Sequence, residues 1–377
     1  MNKIFHTRIL TILTMVLGVL LLNSCQKEYT ITATSNDASM GTVAGSGVYK
    51  KGTIVQLAAM PASGYQFAKW DDGNTDNPRS ITVEKNATYT AIFVAEGGGG
   101  GEEPTGPAVF SVSATQKVLF APGNLQWSAT NGGNTSTTHV VADGTAEGTW
   151  RFAPNQWDTI GADNENISAT YTGWIDLFGW GTSGYDNKYP YLTNTNDAAY
   201  GNGENDITGT NYDWGVYNAI YNSTTNTTDA PGTWRTLTKE EWEYLLNTRS
   251  TESGIRYAKA IVHGVKGLII VKDNWNNSIY TLDSTNIYNA TCASNIISTT
   301  DWAKMETAGC VFLPAAGSRA GHLVHYVGST GQYPSTTHES SNHAYILTIN
   351  SGYLGIDAGY GYGRYVGRSV RLVRDVE

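Results

Sequence analysis

Five consecutive glycines, Gly97 to Gly101, lie in the run AEGGGGGEEPTGP between Ala95 and Pro107. Glycine has no side chain to bury and loses the most backbone freedom on ordering, and the Glu and Pro that follow stay solvated. Such a run cannot sit inside a core, so 95–107 is a linker and the chain must fold as separate parts on either side of it. A small part (29–94) precedes it and a single large domain (108–377) follows. The net charge of −9 and pI of about 5.3, with no basic block, argue against a nucleic-acid partner. Tyr (23) and Trp (11) outnumber Phe (8), and aromatics with a polar tip suit surfaces and half-buried positions.

At the N-terminus Lys3 and Arg8 precede an apolar run from Ile9 to Leu22, too short to span a bilayer comfortably and suited to the core of a signal peptide. It ends on Leu22-Asn23-Ser24-Cys25, which resembles the lipobox of bacterial lipoproteins. The resemblance implies that 1–25 is a lipoprotein signal and that Cys25 is lipidated. The protein would then be anchored on the outer membrane or cell surface of a Gram-negative bacterium. An ordinary cleaved signal peptide is the alternative. Cys292 and Cys310 remain, in a compartment that permits a disulfide; they either pair or stay as buried free thiols.

In the small part, Tyr29–Thr34, Ile54–Leu57 and Tyr89–Phe93 read as short strands, while Gly41-Thr42-Val43, Gly45 and Gly47 read as a turn. The order GTV, then GTIVQLAAMPASGYQFAKWDDG, then AIF resembles the divergent internalin B-type repeat of bacterial surface proteins. That implies a β-rich spacer or adhesion module at 29–94. Trp70 and Tyr65 read as the core aromatics that so small a domain needs, with a glycan platform as the alternative.

In the large part, Lys117–Trp127 and Trp150–Ala153 read as strands, and the Asn-, Thr- and Gly-rich stretch up to Asp229 reads as long loops packed by Trp and Tyr. Thr238-Lys239-Glu240-Glu241 is a capping box, followed by Trp242, Leu245 and Leu246 on one helical face. Arg256–Val262 and Gly267–Val271 predict a hairpin around Gly264, and Asp301–Gly309 predicts a second short helix. The run Trp234–Tyr244 (WRTLTKEEWEY) resembles the helix signature of formylglycine-generating-enzyme-like domains, as do Leu313–Arg319 and Gly367–Val373 their later landmarks. The resemblance implies an α+β, C-type-lectin-like fold for 108–377. Trp174–Tyr185 is similar to a lipoprotein group carrying that domain.

Two chemistries of that family lack their residues. Its oxidases need a reactive Cys pair near the C-terminus, and there is no Cys after Cys310. Calcium-dependent lectins carry E-P-N or Q-P-D with W-N-D; Trp275-Asn276-Asn277 is the nearest match and lacks the Asp. No GxSxG, P-loop or HExxH occurs, and no motif singles out a carboxylate pair among the acids from Asp143 to Asp213. Neither enzyme activity, nor a cofactor, nor a metal site is expected.

The closing stretch, Gly317 to Arg374, holds ten Gly, seven Tyr, seven Ser and four of the chain's seven His. Tyr gives large contact area with few rotatable bonds, and Ser and Gly adapt around it. It is similar to the variable region of lectin-type proteins diversified by retroelements, although those have Tyr-Trp-Ser-Ser-Thr where this chain has Tyr333-Pro334-Ser335-Thr336-Thr337. The resemblance implies a fixed frame of Ala344, Leu347, Ile349, Gly367, Val370 and Leu372. Between them, Ala320, His322, His325, His338, His343, Tyr353, Asp357, Tyr360, Tyr362 and Tyr365 would meet a protein or glycan ligand at the cell surface. A carbohydrate-binding or structural adhesion lipoprotein with a fixed surface is the alternative.

Overall fold

A computed structural model describes residues 27–62, 65–95, 108–129, 148–357 and 363–376. The lipobox with Cys25, most of the Gly-rich linker, and Tyr360 and Tyr362 lie outside the described residues. Two compact units divide between Gly101 and Glu102, within the Gly-rich run. The described chain is mostly β-strand with a few short helices, and no helix among the described residues is long and apolar enough to cross a membrane.

The first unit holds two sheets. One runs Gly47–Lys50, Glu28–Ser35, Ala87–Ala95, Tyr65–Trp70, with Glu28–Ser35 and Ala87–Ala95 parallel. The other runs Gly41–Ala44, Ile54–Pro61, Arg79–Thr82 and is antiparallel. Alternation along the strands fills one core with Ile31, Val55, Leu57, Trp70, Ile81 and Phe93. Trp70 is fully buried and its indole N–H donates to the Asp76 carbonyl (2.8 Å), which removes it as a glycan platform; Tyr65 is half-buried. The glycines at 41–47 do not make one turn. They belong to two short strands, with Gly45 in a left-handed conformation between them.

In the second unit the strand Val373–Asp375 pairs with Lys117–Phe120, which pairs with Phe110–Ser111, so the two ends of the unit are stitched together. The expected hairpin forms as Tyr257–Val262 against Val265–Ile270, with Val311–Pro314 added at one side. The stretch before Asp229 is not loop throughout. Ile220–Asn222 and Thr227–Asp229 pair antiparallel, and Trp214–Tyr217 makes a helical turn capped by Asp213. Cys292 and Cys310 are buried free thiols and form no bridge; Cys310 packs in the cluster of Trp302, Met305 and Phe312.

The helix Lys239–Glu243 continues as a π-turn, Tyr244–Thr248. Thr238 Oγ1 accepts from the Glu241 N–H (3.2 Å) and Glu241 Oε2 accepts from the Thr238 N–H (2.8 Å), closing the capping box. Trp242, Leu245 and Leu246 are buried on one face. Thr238→Ala is expected to lower stability by about 1 kcal/mol, read as a shift in urea midpoint with an unchanged slope.

Candidate ligand-binding face

The closing stretch is built from a hairpin, a three-stranded sheet and a return segment. Ser318–Ala320 and Leu323–His325 pair across a Gly321-His322 tip, so Ala320, His322 and His325 share one hairpin. Gly317 launches it at φ +84°, where a Cβ would also run into the His325 carbonyl. His322 and His325 are exposed, and His322 Nδ1 lies 3.2 Å from the Glu165 carbonyl.

Arg319, between these positions, points the other way. It is fully buried, and its guanidinium donates to the carbonyls of Leu177 (3.3 Å), Leu192 (3.2 Å) and Gly321 (2.5 Å). Its backbone exchanges two hydrogen bonds with Gly367 (2.9 and 2.7 Å). The hairpin is thereby fastened to the expected frame glycine.

Gly331–His338, Ala344–Ile349 and Leu354–Asp357 form the antiparallel sheet, with a bulge between Pro334 and His338. His338 and His343 stand at the turn joining the first two strands. The backbone N–H of His338 donates to Asp206 Oδ1 (2.9 Å), which also lies 2.6 Å from His338 Nδ1. His343 Nδ1 is 3.2 Å from Ser340 Oγ and 3.7 Å from Glu339 Oε2. Arg364 gathers this end. It donates to the carbonyls of Gly203 (2.6 Å) and Ser340 (2.5 Å), and its guanidinium lies over the Trp180 ring at 4.4 Å. Next to it, the Tyr365 N–H donates to Asp197 Oδ1 (3.1 Å).

The segment 193–206 therefore runs past both groups. Thr193 lies beside Gly321, Asp197 holds Tyr365, and Asp206 holds His338. Tyr353 and Asp357 are placed differently, on the edge strand. The Tyr353 ring lies across Gly355, where any Cβ would collide with it, and its hydroxyl donates to Asp357 Oδ2. The turn before it is held by Lys259 Nζ, which donates to the carbonyls of Tyr288 (2.6 Å), Asn350 (2.7 Å) and Tyr353 (3.1 Å).

The frame positions Ala344, Leu347, Ile349, Gly367, Val370 and Leu372 are all buried. Tyr333 belongs with them, although it is not among the expected frame residues. It is fully buried, it donates to the Pro314 carbonyl (2.8 Å), and burial pushes its phenol up. What the residue pattern hid was the arginines. Arg319, Arg364, Arg368 and Arg371 are buried and spend their donors on backbone carbonyls and amide side chains, which lets segments without regular structure satisfy their polar groups.

Two buried carboxyls brace the loops behind the face. Asp176 accepts from the Ile160 N–H (2.9 Å) and the Asn164 amide (2.9 Å). Asp213 accepts from the N–H and O–H of Thr236 (2.9 and 2.8 Å). Burial pushes each up to about 6, against the pull of these donors, from 3.8. Between those values the folded chain holds protons that the unfolded chain has released, so stability rises as pH falls from 7 to 5. The pair together should contribute roughly 3 kcal/mol over that interval. Urea midpoints at the two pH values measure it, and Asp176→Asn with Asp213→Asn should flatten the difference.

Residues 29–97 match the family model of the divergent InlB B-repeat domain. Neither a curated protein nor a solved structure matches the chain. The repeat accounts for the strands from Glu28 to Ala95, and the face described above lies in the other unit. Among the described residues no group of three or more His, Cys, Asp and Glu side chains could hold a metal.

Proposed function

We propose that this is a lipid-anchored surface protein whose second unit, a formylglycine-generating-enzyme-like domain of C-type-lectin-like fold, binds a protein or glycan ligand through the face at 317–374. In this reading the InlB-type repeat and the Gly-rich linker lie between the lipid anchor and that unit in the chain. The observation that carries the reading is the division of one short stretch into two kinds of position. Ala344, Leu347, Ile349, Val370, Leu372 and four arginines are buried, while His322 and His325 are exposed and His338, His343 and Tyr365 half-buried among them. Side chains at the second kind of position can change without disturbing the first, which is what a retroelement-diversified receptor requires. A thiol-dependent oxidase activity is disfavoured: Cys292 and Cys310 are buried, and burial pushes the Cys310 thiol up, away from the reactive thiolate.

The genome around the gene tests diversification. A near-copy of the sequence encoding the closing stretch, differing only at template adenines, together with a reverse transcriptase gene, is expected; their absence sinks that part. Replacing His322, His325 and Tyr365 together with Ser should abolish ligand binding and leave the melting temperature unchanged. Cys25→Ala should move the protein from the membrane fraction to the soluble one and remove fatty-acid labelling.

A second reading, an adhesion lipoprotein with a fixed surface, is favoured by one set of contacts. Tyr353 is tied to Asp357 and His338 to Asp206, so some of the named side chains already have partners within the chain. Under that reading the genome holds no template copy and a glycan array gives one narrow specificity.

A further inference from the structure

Ahead of the segment 193–206 that runs past the face, Tyr185 and Tyr189 belong to none of the three core clusters of the second unit. Tyr189 and Tyr191 are parallel, with centroids 5.0 Å apart and planes 4° apart, and Tyr191 leans on the buried Trp127 at 5.5 Å. The three rings form a ladder from the core outward, with half-buried Tyr189 as its last rung. The Tyr189 hydroxyl donates to Asn187 Oδ1 (2.8 Å), which fixes the ring's orientation. Four residues before it Tyr185, 38% exposed, meets Tyr212 at 5.1 Å and Tyr217 at 5.5 Å, both near edge-to-face.

Between Tyr185 and Tyr189, Asp186 and Asn187 take consecutive left-handed conformations, at φ 50° and 59°. Such residues carry strain that the surrounding structure must hold, and here hydrogen bonds hold it: the Tyr212 hydroxyl donates to Asp186 Oδ2 (3.0 Å), and Tyr189 to Asn187. A carboxylate and an amide are thus kept exposed beside two rigid rings.

We infer that Tyr185 and Tyr189, with Asp186 and Asn187 between them, form a second ligand site, for a neutral, β-linked, gluco-configured oligosaccharide. A pyranose with all its hydroxyls equatorial offers flat C–H faces to an aromatic ring and a rim of hydroxyls to a carboxylate and an amide. An anionic sugar is disfavoured, because the exposed Asp186 carboxylate stands within the site. The site needs no metal, and none of its four residues belongs to the face at 317–374.

Isothermal titration of the whole chain with cellohexaose tests it, with maltohexaose and polygalacturonate as comparators. Saturable binding of cellohexaose in the micromolar to millimolar range is expected, and weaker or no binding of the other two. Tyr189→Ala and Asp186→Gly should each weaken it about tenfold. Glycine suits the left-handed backbone at 186, and an unchanged melting temperature of that variant separates loss of binding from loss of folding. The Ser replacements at His322, His325 and Tyr365 should leave cellohexaose binding intact, which separates failure here from failure of the proposed face. Absence of saturable cellohexaose binding, or binding unchanged in Asp186→Gly and Tyr189→Ala, would overturn the inference and leave the rings as loop packing.

Discussion

Arg371→Ala is expected to destabilise the second unit by roughly 3–5 kcal/mol, the largest single effect among the closing residues. The guanidinium is completely enclosed and donates to Asn124 Oδ1 (2.9 Å), the Ala121 carbonyl (3.3 Å), Gln156 Oε1 (3.3 Å), the Gln156 carbonyl (3.4 Å) and the Phe312 carbonyl (2.9 Å). Those partners come from the start of the unit, from the loop at Gln156 and from the strand Val311–Pro314. Burial brings its pKa down to about 10, which still leaves it protonated at neutral pH. Removing the side chain leaves several carbonyls dry and unpaired, each costing about 1–3 kcal/mol, and opens a cavity beneath Tyr333. Arg371→Lys keeps the charge but loses the planar fork, so most of the loss should persist. A fall in melting temperature of roughly 10 °C, with a matching shift in denaturant midpoint, is the expected readout.

Trp180→Ala should cost nearly as much, about 3–5 kcal/mol, and should also dismantle the face. The ring is buried, its N–H donates to the Ser335 carbonyl (2.8 Å), and it carries the Arg364 guanidinium at 4.4 Å. Gly201 lies so close to the ring that a Cβ there would overlap it. One side chain thus spaces the sheet, Arg364 and the segment around Gly201. Without it Arg364 loses its platform and the turn at Ser340–His343 loses its anchor. Protease cleavage within 193–206 should accelerate, and ligand binding should fall even at temperatures where the unit stays folded. Tyr326→Ala, at a ring 68% exposed, should leave the protease cleavage rate unchanged.

How far the sequence speaks for itself depends on how local the determinants are. The helix at Lys239 is legible because its cap and its buried stripe lie within nine residues, Thr238 to Leu246. The hairpin around Gly264 is legible because strand propensity and a glycine turn agree. The strands Ile220–Asn222 and Thr227–Asp229 were hidden, being short and rich in Asn and Thr, with pairing set by the neighbouring strand Thr149–Phe152. Gly41–Ala44 was hidden for a related reason: its pairing with Ile54–Pro61 decides its conformation, not its own composition.

Within the candidate site, the apolar frame could be read from the pattern of residues, whereas the arginine frame could not. An arginine among glycines and serines reads as surface; only the fold reveals that Arg319 and Arg364 face inward onto carbonyls. Tyr333 is equally illegible as frame, since a ring bearing a hydroxyl closes a buried hydrogen bond to the Pro314 carbonyl. The partners Asp197 and Asp206 come from a segment more than a hundred residues upstream, and no spacing rule joins them to Tyr365 and His338.

Saturation mutagenesis of 317–374 on a surface-displayed full chain, sorted for protease resistance, tests the central claim most directly. Ala320, His322, His325, His338, His343, Tyr353, Asp357, Tyr360, Tyr362 and Tyr365 should accept most side chains. Leu347, Ile349, Gly367, Val370, Leu372 and the arginines at 319, 364, 368 and 371 should accept almost none. If the first set proves as intolerant as the second, the stretch is core throughout and the account of a free surface on a fixed frame is wrong.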